Sequence, residues 1–223
     1  MKKIFTLIAA VAFVATASAQ VISFDTKYDK GSIPGSFTNG DLVLTVTDTD
    51  GKLAVDANTA YFGTPESYVS FDYRLKTGGK SSSKNNLTLT LPTDGTLKVY
   101  ARTGSNGATD RNIVLTQNET ELVNKILLES EATTITIEDA TSPTGKVEKN
   151  VYPVITVEAK KGDASITYPV GSINFYAFEL VNAAGVSTIL TPKADGKTYN
   201  IAGVQVSENA KGLKIKNGKK FVK

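Results

Sequence analysis

Two arginines bracket one short loop in the middle of the chain. Arg102 ends a run of alternating apolar residues and Arg111 begins the next run, so both side chains are expected at the same end of a folded domain. A guanidinium can pair with a carboxylate through two parallel hydrogen bonds, which makes this pair a candidate site for an acidic ligand. The alternative is that both arginines form structural ion pairs with Asp110 or another local carboxylate.

Three further side chains extend this candidate site. Lys76 and Lys80 flank the dipeptide Gly78-Gly79, and Tyr176 lies in the last strongly apolar segment before residue 182. Tyr100 and Phe175 are expected in the core rather than at a ligand site. The chain has no tryptophan, which removes the strongest stacking platform.

The composition excludes several kinds of catalysis. The chain has no histidine and no cysteine, which removes imidazole bases, Ser-His-Asp triads, thiolate nucleophiles and zinc held by His or Cys. Carboxylate pairs of the glycosidase kind stay open, but most acidic residues occur singly in turns or on the polar sides of strands. No enzymatic activity and no cofactor are therefore predicted. A calcium ion is left open, although Asp48-Thr49-Asp50-Gly51 fails the EF-hand pattern at both its leading and its final acidic position.

The elements that must position these residues are strands. Apolar and polar residues alternate with period two in 42–47, 87–91, 97–101 and 134–137, and further strands are expected at 21–24, 52–55, 67–75, 111–117, 151–159, 164–170 and 172–181. The segment 119–129 has helical spacing and is predicted as either a helix or a strand pair. Because no βα alternation is present, the pattern predicts an all-β fold: an antiparallel two-sheet β-sandwich of jelly-roll type, followed by a small β-hairpin C-terminal module.

The first residues predict export. Lys2 and Lys3 precede an apolar run over 4–15, and Ala17-Ser18-Ala19 is a small-residue cleavage signal, so residues 1–19 are predicted to be a signal peptide cut between Ala19 and Gln20. The apolar run is shorter than the roughly 20 residues that a transmembrane helix needs. No second long apolar run follows, so the mature chain is predicted to have no transmembrane segment.

Charge divides the remaining chain. Residues 193–223 hold eight lysines and two acidic residues, whereas 20–192 hold 15 basic and 20 acidic residues. This asymmetry predicts a sandwich over 20–181, a linker over 182–192 and a basic module over 193–223. Nucleic acid is not an expected partner, because the acidic body offers no basic face for phosphates.

The segment from Tyr61 to Val181 resembles a β-sandwich module found beside secreted pectate lyases and other polysaccharide-degrading enzymes. The resemblance is carried by Tyr61-Phe62-Gly63, Arg74–Ser81, Gly95–Gly104, Asp110-Arg111-Asn112 and Tyr168–Tyr176. It implies a carbohydrate-binding module without the lyase activity. The ligand implied is a polysaccharide, including pectin-like or other acidic plant glycans, and for it Lys76, Lys80, Arg102, Asp110, Arg111 and Tyr176 form the predicted site.

The tail carries a second resemblance. Asp195–Val206 followed by Lys211–Lys223 is similar to the C-terminal sorting modules of proteins exported by the type IX secretion system of Gram-negative bacteria. The resemblance implies that the export machinery is a partner and that the protein is extracellular or on the outer cell surface. If the tail is not a sorting signal, the expected compartment is the periplasm, and 193–223 is simply a small β unit that ends the chain.

Three functions therefore stand as hypotheses. The first is a secreted non-catalytic carbohydrate-binding protein. The second is a structural or adhesive cell-surface protein, whose loops or edge strands meet a protein partner. The third is a carboxylate-based polysaccharide lyase or glycosidase, which would need two opposed carboxylates in one cleft.

Overall fold

The computed structural model describes residues 19–138, 142–182, 198–200, 205–207, 213–216 and 219–222. Residues 1–18 of the predicted signal peptide and residues 183–192 of the predicted linker lie outside these ranges. No helix in the described part of the chain is long and apolar enough to cross a membrane.

Two β-sheets account for the strands before residue 183. The larger sheet has eight strands: β1 (Ala19–Ser23), β4 (Ala54–Thr64), β5 (Ser67–Lys76), β7 (Gly95–Thr103), β10 (Thr133–Glu138), β11 (Lys146–Tyr152), β12 (Ile155–Ala159) and β14 (Ile173–Asn182). The smaller sheet has six: β2 (Ser36–Asn39), β3 (Leu42–Asp48), β6 (Asn85–Leu91), β8 (Asn112–Gln117), β9 (Thr120–Ile126) and β13 (Gly162–Thr167).

The strand order is β10-β11-β4-β5-β14-β7-β12 in the larger sheet, with β1 also on β14, and β2-β3-β6-β13-β8-β9 in the smaller one. The pairs are antiparallel except β11 with β4, which is parallel. The predicted all-β two-sheet sandwich is thus confirmed, whereas its jelly-roll type stays a prediction.

The core lies between the two sheets and follows from the period-two alternation. Leu42, Leu44, Leu87 and Leu89 of the smaller sheet and Val99 of the larger one are all fully buried in it. Their polar neighbours along each strand face outward, because successive side chains of a strand point to opposite faces. Burial of an aliphatic side chain of this kind contributes about 1.5–3 kcal/mol of hydrophobic free energy.

Two expectations about the elements need correction. The helix predicted within 119–129 is wrong: Thr120–Ile126 is strand β9, antiparallel to β8. The left-handed residues Asn118 and Glu119 form the tight turn between β8 and β9, with φ of 48° and 63°. The strand predicted over 151–159 is two strands, because Pro153 has no N–H to donate to a ladder.

The C-terminal strands form a compact unit of their own. β15 (Thr198–Asn200), β16 (Gln205–Val206), β17 (Leu213–Lys216) and β18 (Lys219–Val222) form an antiparallel sheet in the order β16-β15-β17-β18. The predicted module boundaries at 181, 192 and 193 remain predictions.

Candidate functional site

A second, smaller cluster of buried side chains lies on the outer face of the eight-stranded sheet, the face turned away from the main core. It contains Ala60, Phe62, Tyr100, Tyr152, Tyr176 and Ala177. Phe62 is central, with its ring centroid 5.7 Å from that of Tyr100, 5.9 Å from Tyr152 and 5.1 Å from Tyr176. Tyr100 belongs to this face because it alternates in β7 with Val99 and Ala101, which point into the core.

Two β-bulges shape this face. The pairing of β4 with β5 shifts between Ala57 and Ala60, and the pairing of β14 with β7 shifts between Phe175 and Ala177. A bulge adds one residue to a strand and changes the direction of the next side chain. The hydroxyl of Tyr176 donates to Asn58 Oδ1 at 2.5 Å, so the two bulged segments meet at this bond.

Arg102 is the best-anchored charge on the outer face. Its Nε and Nη2 donate to the two carboxylate oxygens of Glu129 at 3.3 and 3.1 Å. Its guanidinium carbon also lies 4.6 Å from the ring centroid of Tyr152, in a cation–π contact. Glu129 belongs to a single 3-10 turn, Glu129–Glu131, and accepts a further hydrogen bond of 2.7 Å from the Tyr152 hydroxyl. Burial and this hydrogen bond raise the pKa of Tyr152 to about 12.

An open cleft of about 580 Å³ lies beside these residues, and we name it the Arg102 cleft. It is lined by Thr59, Ala60, Tyr61, Arg102, Asn106, Gly107, Glu129, Thr134, Glu148, Lys149, Asn150 and Tyr152. Aromatic rings, amides, hydroxyls and charges of both signs are therefore presented to one space. Binding sites for small ligands combine these same features, an apolar wall and a few polar groups that converge on it.

A row of charges continues the outer face toward β4 and β5. Asp56 accepts from Arg74 Nε at 2.8 Å and lies 3.1 Å from Lys76 Nζ. Burial by itself raises the pKa of Asp56, but the hydrogen bonds and charges of Arg74 and Lys76 outweigh it and hold that pKa below its usual value. Tyr176 lies between the two arginines: burial raises its pKa, and the charges of Arg102 and Arg74 oppose the rise.

The structure brings together three of the six predicted site residues. Lys76, Arg102 and Tyr176 all belong to the outer-face network, although Tyr176 is fully buried and Lys76 is paired with Asp56. Lys80 is exposed in the loop after β5.

Asp110 and Arg111 lie elsewhere. Arg111 Nη1 donates to the carbonyl of Val170 at 2.9 Å, and its Nε lies 3.6 Å from Asp110 Oδ1. A β-carbon added at Gly171 would meet Arg111 Nη1 at 1.3 Å, so the guanidinium rests directly on this glycine. Val170, Asp110 and Gly171 do not line the Arg102 cleft, and Arg102 and Arg111 thus form no pair around a common ligand.

Sequence reasoning missed four residues that shape the outer face. Glu129 lay in the segment given to a helix or a strand pair, and its partner Arg102 is 27 positions away along the chain. Tyr61, Tyr68 and Tyr152 were not considered as ligand contacts. The sequence feature that could have identified these tyrosines is an aromatic residue near a strand end, with Gly63 or Pro153 nearby to interrupt regular strand pairing.

The residues that the structure describes hold no cluster of three or more acidic side chains able to bind a metal ion. In the Asp48–Gly51 turn, Asp48 Oδ1 accepts from the backbone N–H groups of Lys52 and Leu53, and Asp50 pairs with Lys52 Nζ at 2.8 Å. Calcium binding stays a prediction.

No protein-family profile matches the chain. No curated protein matches it either. Similar solved structures include one from a study of the Ruminococcus flavefaciens cellulosome and its expansion in glycan recognition, with 14% identity and a TM-score of 0.33 over 75% of this chain and 97% of that one. A cleaved adhesin domain, K1, of Lys-gingipain from Porphyromonas gingivalis W83 has 12% identity and a TM-score of 0.39 over 74% of this chain and 98% of that one.

The catalytic unit of a GH87 α-1,3-glucanase from Streptomyces thermodiastaticus has 11% identity and a TM-score of 0.33 over 62% of this chain and 26% of that one. All three TM-scores lie below 0.5. The function is therefore inferred from the outer-face residues of this chain alone.

Proposed function

We propose that the protein is a non-catalytic carbohydrate-binding protein and that the Arg102 cleft is its ligand site. The observation that carries the proposal is the combination of a partly exposed aromatic ring and hydrogen-bonding groups on one open surface. The ring is that of Tyr61, while Tyr152 is only 5% exposed and forms part of the wall beneath Arg102. Asn106, Asn150 and Thr134 offer amides and a hydroxyl. Pyranose rings present C–H faces to aromatic rings and vicinal hydroxyls to planar polar groups, and the cleft supplies both kinds of contact.

The hydrogen bonds that Glu129 accepts support binding without catalysis. Both of its carboxylate oxygens accept hydrogen bonds from Arg102, and one also accepts from Tyr152. A glycosidase needs one carboxyl that is free to donate its proton to the glycosidic oxygen, whereas both oxygens of Glu129 are occupied as acceptors of these hydrogen bonds. Glu129 thus serves as a fixed acceptor that orients Arg102 and Tyr152.

The charges of the cleft favour a neutral glycan over an acidic one. Arg102 is already engaged by Glu129. The negative charge of Glu148 likewise balances the positive charge of Lys149. The other two arginines of the chain are engaged as well, Arg74 by Asp56 and Arg111 by Val170 and Asp110. A uronate carboxylate would have to displace one of these partners from an arginine, whereas sugar hydroxyls can form hydrogen bonds with the cleft residues without displacing any of them. Pectin-like acidic glycans therefore enter the test as the contrasting ligand class.

The predicted leader and tail support an activity outside the cell. The signal peptide over 1–19 would direct export, and the basic module over 193–223 would engage the type IX machinery, so we propose an extracellular or surface-attached protein. Cleavage after Ala19 would still leave four of the five β1 residues to pair with β14.

The test is affinity electrophoresis of the mature chain from Gln20 in gels that contain cellulose derivatives, xylan, mannan, starch or pectin, followed by calorimetry. We expect retardation by at least one neutral polysaccharide and about tenfold weaker binding in Arg102→Ala, because a charge-assisted hydrogen bond is worth roughly 1.5–3 kcal/mol. Arg111→Ala is the matched control, since it removes the same side chain away from the cleft, and it should bind as the unmodified protein does.

Four outcomes would count against the proposal. Retardation by pectin alone would contradict the preference for neutral glycans. Equal loss in Arg102→Ala and Arg111→Ala, with both variants folded by thermal unfolding, would remove the site from the cleft. No retardation by any polysaccharide would favour the structural or adhesive protein instead. Reducing sugar released from any polysaccharide would revive the lyase or glycosidase hypothesis.

A further inference from the structure

A second cleft lies on the same outer face. It has a volume of about 240 Å³, and we name it the Tyr68 cleft. Its walls include Phe62, Ser67, Tyr68, Lys98, Tyr100 and Thr156. None of these residues belongs to the site predicted from the sequence.

The two clefts follow one another along the same chain segments. In β4, residues 59–61 line the Arg102 cleft and 62–63 line the Tyr68 cleft. In β7, Arg102 lines the first, and Lys98 and Tyr100 line the second. A strand rises about 3.3 Å per residue, so the Cα atoms of residues 102 and 98 are about 13 Å apart along β7. Pro153 separates the two clefts in the same way: residues 150 and 152 line the Arg102 cleft, and residues 154 and 156 line the Tyr68 cleft.

Two tyrosines connect the clefts. Tyr61 lines the Arg102 cleft and Tyr68 lines the Tyr68 cleft, and their ring centroids lie 5.8 Å apart with an interplanar angle of 71°. Tyr68 is 40% exposed and is the one exposed aromatic ring among the residues whose side chains the structure describes. The Tyr61–Tyr68 contact is edge-to-face, and the exposed part of the Tyr68 ring is accessible for stacking.

The charged groups of the Tyr68 cleft are already compensated. Lys98 Nζ lies 3.2 Å from Glu179 Oε1, and the hydroxyl of Tyr100 donates to the other oxygen of Glu179. Burial and this bond raise the pKa of Tyr100, so its hydroxyl stays protonated at any physiological pH. The groups left for a ligand are neutral: the Tyr68 ring and the hydroxyls of Ser67 and Thr156.

We propose that the Tyr68 cleft is a second subsite for the same ligand, so that one extended neutral polysaccharide chain occupies both clefts. This inference rests on the proposed function of the Arg102 cleft. Tyr68 is then the ring on which a sugar of the second subsite stacks. The contacting Tyr61 and Tyr68 rings lie between the two subsites, and the glycan passes over them. The protein accordingly recognises an internal stretch of a polysaccharide.

The experiment is calorimetric titration of the mature chain with cello-, xylo-, manno- and malto-oligosaccharides and oligogalacturonides, from the disaccharide to the hexasaccharide. We expect affinity to rise with the length of a neutral oligosaccharide until both clefts are filled. Tyr68→Ala should weaken the hexasaccharide about three- to tenfold and leave the disaccharide unchanged, because one stacked ring contributes about 0.5–1.5 kcal/mol. Tyr68→Phe, which keeps the ring, should bind as the unmodified protein does.

Ile126→Ala is the matched control, because Ile126 is 47% exposed and lies on the smaller sheet. Affinity that stops rising at the disaccharide, or a Tyr68→Ala protein with unchanged hexasaccharide binding, would overturn the second subsite while leaving the Arg102 cleft in place. Equal weakening by Tyr68→Ala and Ile126→Ala would overturn it too. Absence of binding at every length would overturn the proposed function itself.

Discussion

Arg102 shows how one side chain takes its role from its surroundings. By sequence it was the best candidate to pair with an acidic ligand, because a guanidinium at a strand end is suited to a carboxylate. In the structure two of its three donor nitrogens, Nε and Nη2, donate to Glu129, and its guanidinium lies over the ring of Tyr152. The guanidinium therefore organises the cleft wall, and its remaining exposed edge is what a ligand can reach.

Asp56 is the residue whose charge most clearly affects stability. Its pKa is held below the ordinary value of 3.8 by Arg74 and Lys76, although burial alone would raise it. A group with a lowered pKa in the folded state stabilises the fold above its unfolded pKa, and this contribution disappears as the pH falls through the folded pKa. Asp56→Asn should therefore lower the free energy of unfolding by about 1 kcal/mol at neutral pH, and the difference should disappear as the pH falls through the lowered pKa of Asp56.

Urea denaturation at several pH values measures this difference. Asp29→Asn is the control, because the Lys27–Asp29 pair is 66% and 78% exposed and should contribute little. A pH-independent difference between the unmodified protein and Asp56→Asn would show that the effect of the substitution comes from packing rather than from charge.

Among the elements, β14 does the most to build the site. Its first residues pair with β5 on one side, and after the bulge near Tyr176 its later residues pair with β1 on the same side. The bulge allows Phe175 and Phe178 both to face the core while Tyr176 and Ala177 face outward. The change of partner from β5 to β1 lets the β4–β5 hairpin continue beyond β14 and carry Tyr61 and Tyr68.

The contribution of each β1 residue to stability is expected to depend on which face of the sheet its side chain lies on. Ile22 is 2% exposed in the main core, whereas its neighbour Val21 is partly buried against the outer-face cluster. Ile22→Ala should lower the free energy of unfolding by about 2–4 kcal/mol, since it removes buried methyl groups and leaves a cavity. Val21→Ala should cost about 1 kcal/mol.

Chemical denaturation of the two variants tests this alternation directly. Equal losses of stability, or a larger loss for Val21→Ala, would contradict the orientation of β1. A negligible loss for both would mean that β1 is dispensable to the sandwich.

On the scale of the whole molecule, the strands before residue 183 and those after residue 197 form separate sheets and separate compact units. Each unit has its own strand pairing, so the sandwich is expected to fold without the tail. Deletion of 193–223 should leave the thermal unfolding midpoint of the sandwich within about 2 °C of the full-length value, because it removes no strand of either sandwich sheet.

The same deletion tests the sorting role of the tail. In a host with the type IX system, the protein without 193–223 should accumulate in the periplasm, and the full-length chain should reach the cell surface or the medium. Cell fractionation with an antibody against the sandwich distinguishes these locations. Equal secretion of both proteins would show that the tail has no sorting role. The thermal unfolding midpoint of the shortened protein is the control, because it shows that any loss of secretion does not come from unfolding.

The candidate site was predictable only in part. Arg102 and Tyr176 could be chosen from the sequence because one ends a predicted strand and the other lies within one, and Lys76 because it flanks Gly78-Gly79; all three lie in the outer-face network. The same reasoning selected Arg111 at a strand start and Lys80 beside Gly78-Gly79, but strand periodicity does not determine which loop residues come together. Glu129 and Tyr68 could not be chosen, because their importance comes from Arg102 and Tyr61 rather than from a local pattern.

The sequence by itself determined the all-β character and the core positions of its most clearly alternating strands. Period-two alternation is a local property, and Leu42, Leu44, Leu87 and Leu89 are buried as that alternation predicts. The tertiary structure alone decided which residues face one another across the eight-stranded sheet. Two bulges shift the alternation in β4 and β14, and contacts such as Tyr176 with Asn58 join residues 118 positions apart. Such partners depend on strand order and register, which are set by the packing of the whole sandwich rather than by the pattern of any one strand.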